Sequence, residues 1–267
     1  MLVDMLRRCN DNVAELNCCN DRSPCNCEDS LVEDYYNRLD TYNCQKKMNT
    51  YVIKYGPSYI SEIYHYLTKS GMLDDFSGTT VNVTSLGCGF APDYFALQKY
   101  NAENQLNINI NYTGLDISTS WDFARPVAPN CAFIHHDLTQ SFSLQGANIV
   151  FVCKSFSTMH RNGNGQRFLT NLNTAINRDL GNGAIIVFVD INLQNFGRDV
   201  FDNGIAGMRY KRQYYFEGLE QQGPTYTRPD WIQIESTNII YPLNHNLTVD
   251  SIPHTNKTVI FEYRKYN

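Results

Sequence analysis

The chain of 267 residues has ordinary apolar content, 18% charged residues and a formal net charge of −5 at pH 7. A chain of this length can bury one sizeable hydrophobic core, so we expect one main domain with a small appendage. The slightly acidic balance excludes a global basic field. A nucleic-acid partner would therefore have to be bound by a local basic patch.

The first residues contain no apolar run long enough for a signal peptide. No later stretch approaches the roughly 20 apolar residues that a membrane span requires. We therefore expect a soluble protein of the cytoplasm or another intracellular compartment, with no membrane partner.

Six of the nine cysteines fall within the first 44 residues, in a polar segment rich in Asn and Asp. This shift in composition predicts a Cys-rich N-terminal appendage of helical and loop structure over residues 1–49. The main domain is then expected over residues 50–267.

The cysteine cluster has several interpretations. Four thiolates suffice for a tetrahedral Zn²⁺ site. The candidate ligands are Cys18, Cys25, Cys27 and Cys44. Their spacing does not contain the paired C-x2-C pattern, so unligated thiols are an equal alternative. Disulfides or an iron–sulfur cluster also stay open.

Residues 46–73 have apolar and aromatic side chains at helical spacing. The pattern is interrupted at Gly56-Pro57, where a proline ends or kinks a helix. Ser58 can cap a second helix, and Gly71 follows the basic Lys69 near its end. The sequence therefore predicts two helices joined at "YGPSY".

From residue 80 onward, strand and helix signals alternate. Seven strands are expected, at residues 81–86, 109–115, 131–135, 147–153, 184–190, 231–240 and 257–264. Helices are expected after the first, second, fourth and fifth strands. Near-continuous apolar strands in this alternation predict a doubly wound, mostly parallel α/β sheet that is covered on both faces. The last two strands have no helix between them, so we expect an antiparallel C-terminal pair.

The stretch "VTSLGCGFAPDYFAL", residues 83–97, contains the first strand, turn and helix of this sheet. In such folds ligands bind at the carboxyl ends of the strands, where Gly87 and Gly89 let the backbone approach a ligand. A dinucleotide fingerprint has a third small residue where this chain has Pro92. The spacing therefore weakens an interpretation as an NAD site.

Four segments, in chain order, resemble the motifs of class I S-adenosylmethionine-dependent methyltransferases. "LGCGFAPD" is similar to the first motif, "YTGLDIS" to the second, "CAFIHHDLT" to the third, and "ANIVFVCKSFSTMH" to the fourth strand and its loop. The resemblance covers about residues 50–267. It implies a Rossmann-like fold, methyltransferase activity and S-adenosylmethionine as the cofactor.

The resemblance also implies roles for residues of the first three motifs. Asp116 would accept both ribose hydroxyls of the cofactor, and Asp137 would accept the adenine amine. The other residues expected at the cofactor are Gly87, Cys88, Gly89, Pro92, Ile117, Leu138, Lys154 and Tyr59. The alternatives are that the two carboxylates only cap turns and that the glycines only shape one.

The loop after the fourth strand should face the transferred methyl group. It lacks the Asp/Asn-Pro-Pro-Tyr/Phe pattern of many amine-methylating enzymes, the Asp of ribose 2′-O enzymes and the Pro-Cys of pyrimidine C5 enzymes. The catalytic candidates that remain are Lys154 and His160. Lys154 can orient an anion or act as a base, and the His160 imidazole is suited to proton removal. Structural roles for both are an equal alternative.

Residues 209–216 interleave three basic with four aromatic side chains. This pattern suits phosphate neutralisation and base stacking, and it places RNA slightly ahead of a protein or a small molecule as methyl acceptor. An amphipathic helix packed on the sheet is the alternative. A catalytically silent methyltransferase-like module, which binds the cofactor or a protein partner, is the second functional hypothesis.

Overall fold

The computed structural model describes residues 2–15, 31, 44–216, 230–240, 249–255 and 257–266. The helices are α1 Leu2–Glu15, α2 Gln45–Ser70, α3 Pro92–Glu103, α4 Phe156–Arg161, α5 Gly165–Asp179 and α6 Arg198–Gly204. The strands are β1 Thr80–Leu86, β2 Asn109–Asp116, β3 Cys131–His135, β4 Ile149–Cys153, β5 Ile185–Ile191, β6 Tyr210–Phe216, β7 Ile232–Ile234 and β8 Thr258–Arg264. Short 3-10 helices span Asp74–Phe76, Thr119–Trp121 and Gln194–Phe196. Within these described ranges, no helix is long and apolar enough to cross a membrane.

The strands form one sheet in the order β3-β2-β1-β4-β5-β8-β6-β7. Strands β1 to β5 are parallel, and β8 lies antiparallel between β5 and β6. The chain moves outward from β1 to β3 and then returns to place β4 on the other side of β1. The strand order therefore reverses between β1 and β4, which is where open α/β sheets bind ligands. The predicted Rossmann-like, doubly wound α/β fold is confirmed.

Two buried clusters cover the two faces of the sheet. Neighbouring residues of β4 alternate between them, with Phe151 in the first cluster and Val152 in the second. Helices α1, α2 and α3 contribute to the first cluster, and α5 and α6 contribute to the second. This arrangement explains why the central strands read as continuous apolar runs.

The C-terminal part of the sheet differs from the prediction in detail. An antiparallel pair is present, but its members are β6 and β8. Strand β7, within the segment predicted as the other partner, pairs in parallel with β6. Strand β6 is an eighth strand that was not expected. Its basic residues obscured the alternation that buries Tyr214 and Phe216. The helix predicted after the second strand is also wrong, because between β2 and β3 the chain forms only the 3-10 helix Thr119–Trp121.

The prediction of two helices joined at "YGPSY" is wrong, because α2 continues through Pro57. A proline at this position leaves the carbonyl of Ile53 without its intrahelical donor. The hydroxyl of Ser251 donates to that oxygen at 2.7 Å, and the backbone N–H of Ile252 donates to the Lys54 oxygen at 2.9 Å. The segment at 251–252 thus replaces the missing donor. Gly71 ends the helix in the left-handed conformation, as expected.

The N-terminal predictions are only partly covered by the described residues. Helix α1 packs its apolar face into the first cluster. Helix α2, Gln45–Ser70, extends across the domain boundary predicted between residues 49 and 50, and that boundary stays a prediction. Cys18, Cys25 and Cys27 lie outside the described residues, whereas Cys44 is buried just before α2. Among the residues that the structure describes, no group of His, Cys, Asp and Glu could hold a metal ion. The zinc hypothesis therefore has no support there.

Candidate cofactor and active site

A cavity of about 620 Å³ lies at the carboxyl ends of β1 to β4, where the strand order reverses. Every residue that the sequence predicted at the cofactor lines this cavity. They are Tyr59, Gly87, Cys88, Gly89, Pro92, Asp116, Ile117, Asp137, Leu138 and Lys154. The fold therefore brings the four sequence motifs to one site.

The turn after β1, residues 87–91, requires its first glycine. Gly87 has a φ of +69°, and a Cβ added there would lie 2.5 Å from the Cβ of Ser155. Its N–H donates to the Leu115 carbonyl at 2.8 Å, which joins the turn to β2. The left-handed backbone and the contact with Ser155 both demand glycine at this position, so the turn packs closely against the loop after β4.

Asp116 ends β2 and binds the turn after β1. Its Oδ2 accepts the N–H of Gly89 and its Oδ1 accepts the N–H of Ser118, each at 2.8 Å. The side chain is only 8% exposed, and this burial raises the pKa of Asp116 above its ordinary value. Each carboxylate oxygen can accept a further hydrogen bond. Asp116 can therefore hold the turn and still bind a pair of ligand hydroxyls.

The loop after β3 provides a second carboxylate, and the loop after β2 provides an apolar neighbour. Asp137 accepts the N–H and the hydroxyl of Thr139, both at 2.8 Å, so it does cap its own turn. The N–H of Thr139 contributes most to lowering the pKa of Asp137. Ile117, from the β2 loop, lines the same cavity and is 64% exposed. An apolar side chain left open at a cavity wall can pack on a flat ligand.

Lys154 lines the cavity from the loop after β4, residues 154–155. Its Nζ lies 2.8 Å from Oε2 of Glu62 and 4.9 Å from the ring centroid of Tyr59. The ammonium also donates to the hydroxyl of Thr258 on β8. The side chains of Lys154 and Glu62 are 6% and 0% exposed. The charge of Lys154 is therefore paired inside the protein, beside the cavity.

The second catalytic candidate is not brought to the cavity. The ring of His160 stacks on Phe156 with centroids 6.1 Å apart. On its other side, a Cβ added at Gly197 would lie 2.7 Å from the imidazole Cγ. Cys153 does line the cavity, but burial raises the pKa of its thiol well above the ordinary value. The structure therefore places Lys154, and not His160, where a catalytic group would be needed.

Arg125 and Trp121 are among the site residues that the sequence reasoning missed. Arg125 donates through Nε to the Gly89 carbonyl at 2.9 Å and through Nη2 to the Ser118 carbonyl at 3.2 Å. It thereby joins the two loops that also meet at Asp116. Trp121 lines the cavity beside Tyr51, with ring centroids 5.7 Å apart. The only signal for Arg125 is an acidic residue three positions earlier, which does not indicate a ligand site.

The basic and aromatic segment at 209–216 lies elsewhere. Tyr214 and Phe216 are buried in the sheet, so their rings are not available for base stacking. Tyr210 and Ile185, the first residues of β6 and β5, both pair with Arg264. The basic start of β6 therefore lies at the end of the sheet opposite the cavity. The prediction of an RNA partner loses the observation on which it depended.

The strand order, with an antiparallel strand inserted next to β5, is the Rossmann-like fold of class I S-adenosylmethionine-dependent methyltransferases. This assignment of the fold rests on the sheet of this chain. No protein-family model matches the sequence, and no curated protein sequence matches it.

Solved structures with similar folds include three methyltransferases. N-methyltransferase NodS from Bradyrhizobium japonicum WM9, in complex with S-adenosyl-L-homocysteine, is 12% identical; the match covers 90% of this chain and 99% of that one, with a TM-score of 0.45. The plantazolicin methyltransferase BpumL, in complex with a triazolic desmethylPZN analog and SAH, is 13% identical over 100% and 98% of the two chains (TM-score 0.46). A TehB-like SAM-dependent methyltransferase from Corynebacterium glutamicum is 11% identical over 77% and 95% (TM-score 0.41).

Proposed function

We propose that the protein is an S-adenosylmethionine-dependent methyltransferase. The observation that carries the proposal is the position of Asp116, whose carboxylate meets the glycine turn after β1 at the mouth of one cavity. That is the arrangement required to hold a ribose beside a closely approaching backbone.

Different residues around the cavity would bind different parts of the cofactor. Asp116 would accept hydrogen bonds from the ribose hydroxyls. Asp137 would accept one from the adenine amine, because its oxygens can accept further hydrogen bonds beside the two from Thr139. Ile117 and Leu138 would pack against the base. The turn at Gly87 would receive the methionine portion. When bound, the cofactor supplies a methyl group that its sulfonium has already activated.

The acceptor side of the cavity is formed by the loop after β4 and by α4. Thr158, Met159 and Asn162 line it together with Lys154. The Nζ of Lys154 is already bound to Glu62 and to Thr258. Methyl transfer is an in-line displacement in which positioning supplies much of the rate. We therefore assign these residues to positioning, and the acceptor must bring its own lone pair.

The methyl acceptor is the finer part of the proposal, and RNA stays a prediction. The test is transfer of labelled methyl from S-adenosylmethionine to separate fractions of host RNA, DNA, protein and small molecules. Label in one fraction identifies the acceptor class. Label in the RNA fraction alone would support the RNA prediction, and label only in another fraction would contradict it.

Cofactor binding is tested with Asp116→Ala. Losing charge-assisted hydrogen bonds should weaken S-adenosylhomocysteine binding by about 100-fold. Asp75→Ala is the matched control, because Asp75 is an exposed carboxylate paired with Arg264; it should bind as the wild type does. Calorimetry measures both. Equal affinities of the two variants would contradict the proposed site, as would binding of NAD without competition by S-adenosylhomocysteine.

A catalytically silent module is the second candidate, and one observation favours it. The ammonium of Lys154 is occupied by Glu62 and Thr258, so the loop after β4 offers no unpaired charge from that residue. This candidate predicts binding of S-adenosylhomocysteine with no labelled methyl in any fraction. Transfer to any fraction would exclude it.

A further inference from the structure

A lysine ammonium lines the cavity, although the ligand proposed for this cavity is itself a cation. Lys154 lines the cavity with an ammonium group, and S-adenosylmethionine has a positively charged sulfonium. Like charges in a partly desolvated cavity repel strongly unless a counter-charge is near. The product, S-adenosylhomocysteine, is a thioether without that charge. The two ligands therefore differ in how they respond to the net charge around Lys154.

Glu62 supplies the counter-charge. It lies on α2, three residues after Tyr59, and its side chain is fully buried. Its Oε2 is 2.8 Å from Nζ of Lys154, and its Oε1 is 3.4 Å from the hydroxyl of Ser58. A fully buried carboxylate is costly unless it is paired. The position of Glu62 beside a ligand cavity is therefore a candidate for function as well as for stability.

The surroundings make Glu62 the direct partner of this ammonium. Asp190 is a second carboxylate that interacts electrostatically with Lys154, but its oxygens accept the backbone N–H groups of Ser157 and Ile191. Thr258 and the ring of Tyr59 contact Nζ without a formal charge. Among the described residues, the ion pair with Glu62 is thus the direct contact of the Lys154 ammonium with a negative charge.

We propose that Glu62 is a positioning residue that neutralises Lys154 toward the cavity and so lets the site accept a sulfonium ligand. The inference rests on the proposed function, since it concerns the same cofactor. It adds a residue from outside the sequence motifs. It also explains how a lysine can line a site for a cationic ligand.

The first test compares two ligands on one variant. Calorimetric dissociation constants for S-adenosylmethionine and S-adenosylhomocysteine are measured for the wild type and for Glu62→Gln, at about pH 6 to favour the protonated amine. The variant should lose affinity for the sulfonium roughly tenfold more than for the thioether, as expected for one uncompensated charge. A purely structural role of Glu62 would weaken both ligands equally.

Glu262→Gln is the matched control. Glu262 is also fully buried and paired with a basic residue, Arg264, at 2.8 Å, but Arg264 does not line the cavity, whereas Lys154 does. Its loss should lower stability and leave the ratio of the two dissociation constants within about twofold of the wild type. A ratio shifted as far as in Glu62→Gln would overturn the inference.

A second pair of variants, in which Lys154 is replaced, tests the same inference if Glu62→Gln does not fold. Lys154→Met leaves the carboxylate uncompensated, so near pH 8 the ratio should move in favour of the sulfonium. The double variant Glu62→Leu/Lys154→Met removes both charges and should return the ratio to the wild-type value. Unchanged ratios in the single variants overturn the inference. A wild type that binds neither ligand contradicts the proposed function instead.

Discussion

The turn after β1 and the loop after β4 face the same cavity but are held in different ways. The turn is fixed by its immediate neighbours in the sheet, since the N–H groups of Gly87 and Cys88 both donate to the Leu115 carbonyl. The backbone of the loop is also bound to its neighbouring strand, since the N–H of Lys154 donates to the Val189 carbonyl at 2.7 Å. The Lys154 side chain, however, is held by residues that are remote in sequence, Glu62 on α2 and Thr258 on β8. The turn therefore depends on residues of the adjacent strand and its loop, whereas the position of the Lys154 ammonium depends on elements from distant parts of the chain.

Gly87→Ala should have the largest effect, because the added Cβ would clash with the loop after β4. The added Cβ would lie 2.5 Å from Ser155 at a φ of +69°. We expect a loss of about 3–4 kcal/mol in the free energy of unfolding, from the left-handed backbone and the clash together. Urea denaturation measures that loss. S-adenosylhomocysteine binding should fall below detection in calorimetry.

Gly78→Ala separates the two causes. Gly78 has a φ of +71°, yet nothing lies within 4 Å of an added Cβ. Only the backbone penalty should appear, about 1 kcal/mol, and ligand binding should be unchanged. If the two alanine variants lost the same stability, contact between the turn and the loop would not be what demands glycine at position 87.

Asp93 is a buried group that interacts with both the turn after β1 and the end of β4. It is fully buried, and the hydroxyl of Tyr112 donates to its Oδ1 at 2.9 Å. Its charge acts on the thiols of both Cys88, in the turn, and Cys153, at the end of β4. Burial raises the pKa of Asp93 to about 6. A group placed this way links the stability of both segments to pH.

The sign follows from the two states. Between about pH 4 and 6 the folded protein keeps the proton on Asp93 while the unfolded chain releases it, so stability falls as pH rises through this window. The loss should total about 2–3 kcal/mol. Asp93→Asn should remove that part of the pH dependence, whereas Asp75→Asn, at an exposed carboxylate, should leave it unchanged. Urea denaturation between pH 4 and 8 measures both; parallel profiles of wild type and Asp93→Asn would refute the assignment.

Residues that are positioned by local spacing could be predicted from the sequence, whereas those positioned by remote contacts could not. The glycines of the turn and the carboxylate of Asp116 follow strands at fixed spacing, so a local pattern was enough to place them in one cavity. The partner of Lys154 is 92 residues away in the chain, at Glu62, and no spacing rule connects them. Strand β6 was missed because its charges resembled a binding patch, although its alternation predicts a strand.

The smallest expected effect concerns the middle of α2, the helix that carries Glu62. The hydroxyl of Ser251 donates to the Ile53 carbonyl, which Pro57 leaves without a helical donor. Ser251→Ala should therefore cost about 1 kcal/mol in the free energy of unfolding. In a Pro57→Ala background the restored backbone N–H can take that carbonyl, so the cost of Ser251→Ala should fall toward zero. A double-mutant cycle in urea measures the coupling. If the two substitutions were additive, the remote segment at 251–252 would not be what keeps α2 continuous, and the position of Glu62 beside the loop after β4 would have to depend on packing alone.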